Sequence, residues 1–223
     1  MKNRELKIYF AGDLFDAKDL GGNLMLAQAI EKISAGRYRI MLPQNSECEV
    51  GERTSQSIRD LDFELLCNSD IIVANFDGHD LDSGTVVEFC FAKMLDIPAV
   101  LLRTDFRDSG DHTLPDGEPW NLMCSHYPRT AVLHLNGMVR YHEMLLKYPP
   151  ETVPDCYYNS IAADVVAALE TVISQPSWLK QHELLRQYQM AFKSIGGTLE
   201  ARFPEAKLQQ LVADKVASGL YRS

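Results

Sequence analysis

The sequence lacks both a G-x-G-x-x-G and a G-x-x-x-x-G-K-[ST] stretch, so neither a dinucleotide fingerprint nor a P-loop is available to it. Cysteine is scarce and unpaired in pattern. Cys48, Cys67, Cys90, Cys124 and Cys156 form no C-x-x-C and are odd in number, which excludes the disulfide framework of a small secreted domain. Reduced thiols in a cytosol follow, with Cys67 and Cys90 expected as small core fillers. The histidines His79, His112, His126, His134, His142 and His182 include no H-x-x-x-H or H-E-x-x-H, so zinc is unsupported and each is expected in a structural or solvated role. With no G-x-S-x-G, a serine triad is unsupported too. No run approaches the roughly 18 to 20 apolar residues of a membrane span, and the opening MKNRELKIYF passes directly into a strand pattern; the expectation is a cytoplasmic protein. Positive charge is in deficit. The 22 Lys and Arg against 31 Asp and Glu leave a net charge of −9, which argues against nucleic acid or an anionic membrane as main partner and suits a neutral small ligand.

What is present is the composition of an ordinary globular chain, 223 residues with 46% apolar and 24% charged side chains. Short β-branched or aromatic runs alternate with stretches of helical spacing, the pattern of βαβ units. Strands are expected at 6–11, 38–42, 70–76, 97–103 and 130–133, several almost wholly apolar, as parallel strands covered on both faces must be. Helices are expected at 24–33, with Leu24, Ala27, Ile30 and Ile33 as the apolar stripe, at about 53–68, at 83–95 and at 160–173. The stretch TDFRDSGDHTLPDGEPW is too long for an ordinary connection, and KYPPETVPDCYY reads as irregular. Beyond Pro176 the texture changes to two amphipathic helices, so residues 1–175 are expected as an α/β domain with an open five-stranded parallel sheet and residues 176–223 as a helical C-terminal extension. Lys180, Glu183, Arg186 and Lys193 belong to a solvated face.

An open parallel sheet binds ligands outside the carboxyl ends of its strands, so the residues following each strand carry the most information. After the first strand stands Gly12, by itself weak. After the third comes DGHDLDSGTVVE, in which Asp82 or Ser83 caps a helix and Gly84 and Thr85 leave room for a ligand at its N-terminus. Glu88 follows on the first two turns with Thr85, Phe91 and Ala92 at helical spacing, hence directed at the sheet, where a carboxylate is costly unless used. Asp62 repeats the anomaly on the preceding helix, beside Ile58, Leu65 and Leu66, whereas Asp60 and Glu64 are expected to face outward. A pocket holding Asp62, Asp82 and Glu88 would perturb their proton affinities and suit chemistry at a sugar C1, one acid attacking the carbon and another managing the leaving group. The plainer alternative makes Asp82 only a cap and Asp62 a solvated edge residue.

The pieces IYFAGDLF, LPQN, RDLDFELLCNSD, DGHDLDSGTVVEFCFAKMLDIPAVLLR and PWNLM, in this order over about residues 6 to 175, resemble the nucleoside 2-deoxyribosyltransferase family. The resemblance implies a flavodoxin-like fold, no cofactor, and transfer of a 2-deoxyribosyl group from a 2′-deoxynucleoside to another free purine or pyrimidine base. Glu88 matches the family's nucleophile, Tyr9 the tyrosine that holds it, Asp62 the acid that serves the base, and Asp82 the carboxylate on the sugar hydroxyl. Phe15 and Gln44, with Gly12 beside them, match the segments that stack and orient the substrate. Asn121 and Met123 match residues that a neighbouring subunit contributes, which implies a homo-oligomer. Read without the resemblance, Tyr9 is an ordinary strand aromatic, Gln44 a loop amide, and Asn121 to Met123 a helical turn filling a core gap. About 45 residues past Pro176 depart from the family pattern, in which the chain ends near the closing helix.

Three other functions remain open. A 2′-deoxynucleoside 5′-monophosphate N-hydrolase would use Glu88 with water as acceptor, but GDLFDAKD sets acids where a phosphate needs donors. A nucleosidase acting on unphosphorylated substrate would look almost the same. A non-catalytic nucleoside or nucleotide sensor would have no need of a buried nucleophile.

Overall fold

A computed structural model of the chain describes residues 4–46, 54–107, 110 and 117–222. Cys48, His112 and much of the 104–120 connection lie outside the described residues. Five strands, β1 (Leu6–Ala11), β2 (Tyr38–Met41), β3 (Ile71–Asn75), β4 (Ala99–Arg103) and β5 (Thr130–His134), form one sheet in the order β2-β1-β3-β4-β5. All pairings are parallel, so each connection must cross over the sheet. The helices are α1 (Ala17–Ile33), α2 (Pro43–Ser46), α3 (Ser55–Asn68), α4 (Ser83–Met94), α5 (Gly137–Lys147), α6 (Val153–Ser174), α7 (Leu184–Ile195), α8 (Leu199–Arg202) and α9 (Glu205–Ala217). This is the flavodoxin-like α/β arrangement with helices on both faces and a helical C-terminal extension.

The chain leaves β1 toward β2, then reverses across β1 to β3. Crossovers in opposite directions, right-handed as the general rule for parallel strands requires, put α1 and α6, packed on each other, over one face and α3 and α4 over the other. Between β1 and β3 the strand order reverses, and the carboxyl ends there open a crevice. The core follows from composition: β4 is buried throughout and β3 along Ile71 to Ala74, while edge strand β5 leaves Val132 and His134 exposed. Caps set the helix starts. Asp16 accepts from the amides of Lys18 and Asp19 to begin α1, and Thr54 and Ser57 form a capping box on α3.

Several expectations need correction. Helix α1 starts at Ala17, seven residues before the expected start at Leu24, running through Gly21 and Gly22, and buries Asn23, Leu26, Ala27, Ala29 and Ile30. Leu24 and Ile33 of the expected stripe are exposed. Helix α6 starts at Val153 inside the stretch read as irregular, with Pro154 in its first turn, where no amide hydrogen bond is lost. Helix α5 was not expected; it buries only Gly137 and leaves Met138, Val139, Leu145 and Leu146 exposed. Asp60 does not face solvent. It is fully buried under the C-terminal segment, and Glu64 is partly covered there. Cys67 is buried as expected, whereas Cys90 is only partly so. No helix among the described residues is long and apolar enough to cross a membrane.

Candidate active site

Tyr9 is the fourth residue of β1, buried, with its ring on the α4 side of the sheet. Its hydroxyl donates to Glu88 Oε1 at 2.5 Å, so the nucleophile candidate of α4 is directed at the sheet, as its helical neighbours require. Asp82 is the N-cap of α4: its Oδ2 accepts from the Thr85 amide at 2.7 Å and from the Thr85 hydroxyl at 2.9 Å. Gly84 lets the cap pack closely, since a Cβ there would stand 3.0 Å from Asp82 Oδ2. Asp82 thus caps α4 and also lines a cavity.

A cavity of about 190 Å³ lies in front of these groups, walled by Gly12, Leu14, Phe15, Pro43, Asp62, Asp82, Gly84, Thr85 and Glu88. Gly12, Phe15, Asp62, Asp82 and Glu88, five of the residues singled out in the sequence, thus meet in one place, with Tyr9 behind Glu88. Burial drives the Glu88 carboxyl up to about 8; the Tyr9 hydrogen bond opposes this, and the neighbouring Asp62 and Asp82 add to it. Just outside, burial and then the charges of Asp82, Asp19, Asp77 and Asp16 raise Asp13. No Lys or Arg lines this cavity among the described residues.

Gln44 is not brought in. Its Oε1 accepts from Asn23 at 3.4 Å and its Nε2 donates to the Leu20 carbonyl at 3.1 Å, tying it to α1, and Pro43 walls the cavity instead. Asn121 and Met123 also lie outside. Asn121 caps a 3-10 turn, Leu122–Cys124, by accepting from the Met123 amide at 3.0 Å, and Met123 is 71% exposed. The turn does not fill a core gap. Leu14 and Pro43 are walls that residue chemistry did not flag; only their position beside Phe15 and Gln44 pointed to them. Among the described residues no group of three His, Cys, Asp or Glu side chains is arranged to hold a metal ion.

An open parallel sheet with carboxylates clustered near its switch point defines the class of an α/β, flavodoxin-like protein. A family model described as nucleoside 2-deoxyribosyltransferase matches residues 8–123, more than half of the chain, and the protein belongs to that family of deoxyribosyltransferase-type enzymes. Among solved structures it is similar to a conserved protein from Enterococcus faecalis V583, with 34% identity over 49% of this chain and 70% of that one (TM-score 0.44). It is also similar to a 2-deoxyribosyltransferase from Bacillus psychrosaccharolyticus, 19% identical over 66% and 96% (TM-score 0.44). A third is a 2-desoxiribosyltransferase from Leishmania mexicana, 20% identical over 56% and 89% (TM-score 0.46). No curated protein matches.

Proposed function

We propose that the protein exchanges the base of a 2′-deoxynucleoside, with Glu88 as nucleophile. The observation that carries this reading is a half-buried glutamate, backed by a tyrosine hydroxyl, that lines a cavity shared with two further acids. Ionised Glu88 forms a bond to C1′ as the glycosidic bond breaks, and the electron pair leaves with the base. Asp62 delivers the proton to the departing base and recovers one from the incoming base. The second displacement returns C1′ to its original configuration, so the outcome is net retention. Asp82 receives the sugar hydroxyl, and Gly12 gives the sugar room beside it. The crowded C1′ site favours a 2′-deoxy sugar.

At about 190 Å³ the cavity is smaller than the roughly 300 to 1,000 Å³ usual for a whole small-molecule ligand. It accommodates the sugar end, and the base extends over Phe15, which is 77% exposed. A second copy of the chain then closes the site with Asn121 and Met123. Such closure matters, because water reaching the glycosyl-enzyme diverts transfer to hydrolysis. Among the described residues the lining holds no Lys or Arg, which disfavours the 5′-monophosphate reading.

The test is incubation of purified protein with a 2′-deoxynucleoside, with and without a different free base, followed by chromatography of every nucleoside and base. A new deoxynucleoside that forms only with acceptor is expected. Free base alone, unaffected by acceptor, would replace transfer with hydrolysis, and absence of turnover with nucleosides and 5′-monophosphates alike would overturn the enzymatic reading.

A further inference from the structure

Helix α3 carries carboxylates on two sides. At about 100° per residue, Asp60 and Glu64 stand within about 40° of each other, and Asp62 stands about 160° from either. The outer pair is occupied by the C-terminal segment. The Thr198 amide and hydroxyl donate to Asp60 Oδ2 at 2.7 and 2.8 Å. Arg59 donates to Asp60 Oδ1 at 2.8 Å and to the Ile195 carbonyl at 2.6 Å. One turn on, Glu64 accepts from Arg202 and Lys207, each at 2.7 Å. Gly197, at φ +69°, fits against the Asp60 carboxylate so closely that a Cβ would fall 2.3 Å from Asp60 Oδ1.

The same segment grips the end of α4. Gln187 donates to the Met94 carbonyl at 2.7 Å and Tyr221 to the Leu95 carbonyl at 3.0 Å. The buried Asp96 that follows accepts from the Ser177 hydroxyl at 2.5 Å and the Leu179 amide at 3.3 Å. Glu88 and Asp62 project from the inner sides of these two helices into one cavity.

We propose that residues 177–222 brace α3 against α4 from outside and so set the placement of Asp62 relative to Glu88, with Asp60, Gly197 and Thr198 as positioning residues. The inference rests on the reading of Glu88 and Asp62 as the reacting pair. Its lever is helix rotation: turning α3 by about 20° moves a carboxylate about 5 Å from the axis by nearly 2 Å. A misplacement of about 1 Å is enough to cost on the order of 100-fold in rate.

The experiment compares wild type with Gly197→Ala in the full chain, through kcat and KM for base exchange across pH and through titration of Glu88 by carbon NMR of labelled glutamate carboxyls. The expected result is a 10- to 100-fold loss in kcat with KM within about threefold, and a Glu88 titration lower than in wild type because Asp62 withdraws. Unchanged kcat and an unchanged Glu88 titration, with only the melting temperature lowered, would leave the segment a structural cover and overturn the brace. Absence of base exchange in wild type would sink the transferase reading, while the two NMR titrations would still decide this one. If Gly197→Ala does not fold, Thr198→Ala carries the same measurements with a smaller expected loss, restored by Thr198→Ser.

Discussion

Asp60, fully buried, and Glu88, half-buried, are carboxylates on neighbouring helices, and they end in opposite states. Burial pushes Asp60 up, but the Thr198 amide and hydroxyl and the Arg59 guanidinium outweigh it and hold the group below the usual aspartate range. Burial pushes Glu88 up as well. There the Tyr9 hydrogen bond opposes it, the charges of Asp62 and Asp82 add to it, and the carboxyl rises to about 8. Burial therefore does not decide the state of an acid; the company it is buried with does. A carboxylate surrounded by donors is a fastening, and one gathered with other acids beside a cavity is poised for chemistry.

The sharpest way to break the contrast is Glu88→Gln. Base exchange should fall by about 10³-fold or more in a chromatographic assay, since the variant removes the proposed nucleophile. The same variant should be more stable, on the order of 1 to 3 kcal/mol, in denaturant unfolding at pH 8. The sign follows from the raised carboxyl: Glu88 costs nothing below its unfolded value of 4.5, and the cost grows as pH climbs to about 8. Asp60→Ala should act the opposite way on stability. Removing the acceptor strands the Thr198 donors and Arg59, a loss of about 2 to 4 kcal/mol in the same experiment. Because Asp60 titrates below 3.8 when folded, that difference should be full above about pH 4 and shrink as pH falls through its lowered value.

Tyr9→Phe sharpens the comparison at Glu88 itself. It deletes a hydrogen bond that lowers that carboxyl, so the rise of kcat/KM with pH, expected near 8 in wild type, should move upward. Activity at pH 7 should drop about 10-fold, corresponding to about one pH unit, and recover in part at higher pH; a pH profile coinciding with that of wild type would reject the role. The smallest effect is expected from Phe15→Ala, a KM increase of roughly 3- to 10-fold with little change in kcat, from loss of a stacking face worth about 0.5 to 1.5 kcal/mol.

Much of this was legible in the residues. Strands β3 and β4 fall within short apolar runs, because strands covered on both faces leave no room for polar side chains. Glu88 could be aimed at the sheet from its helical neighbours alone, and its contact with Tyr9 agrees. Gln44 could not be placed. A carboxamide at a strand end serves a ligand or a neighbouring helix equally well, and here Leu20 and Asn23 of α1 engage it. Asp60 was misjudged for a related reason: its outward position on α3 is correct, but what lies outward is protein.

The sequence by itself determined the parallel α/β framework and the acids at its carboxyl edge, since period, capping and strand-end position are local properties. Tertiary structure alone decided that Asp60 is satisfied by Thr198, 138 residues away, and that Glu88 shares its cavity with Asp62. A carboxylate's state depends on which dipoles and charges surround it in space, and long-range chain folding, not local pattern, brings those neighbours together.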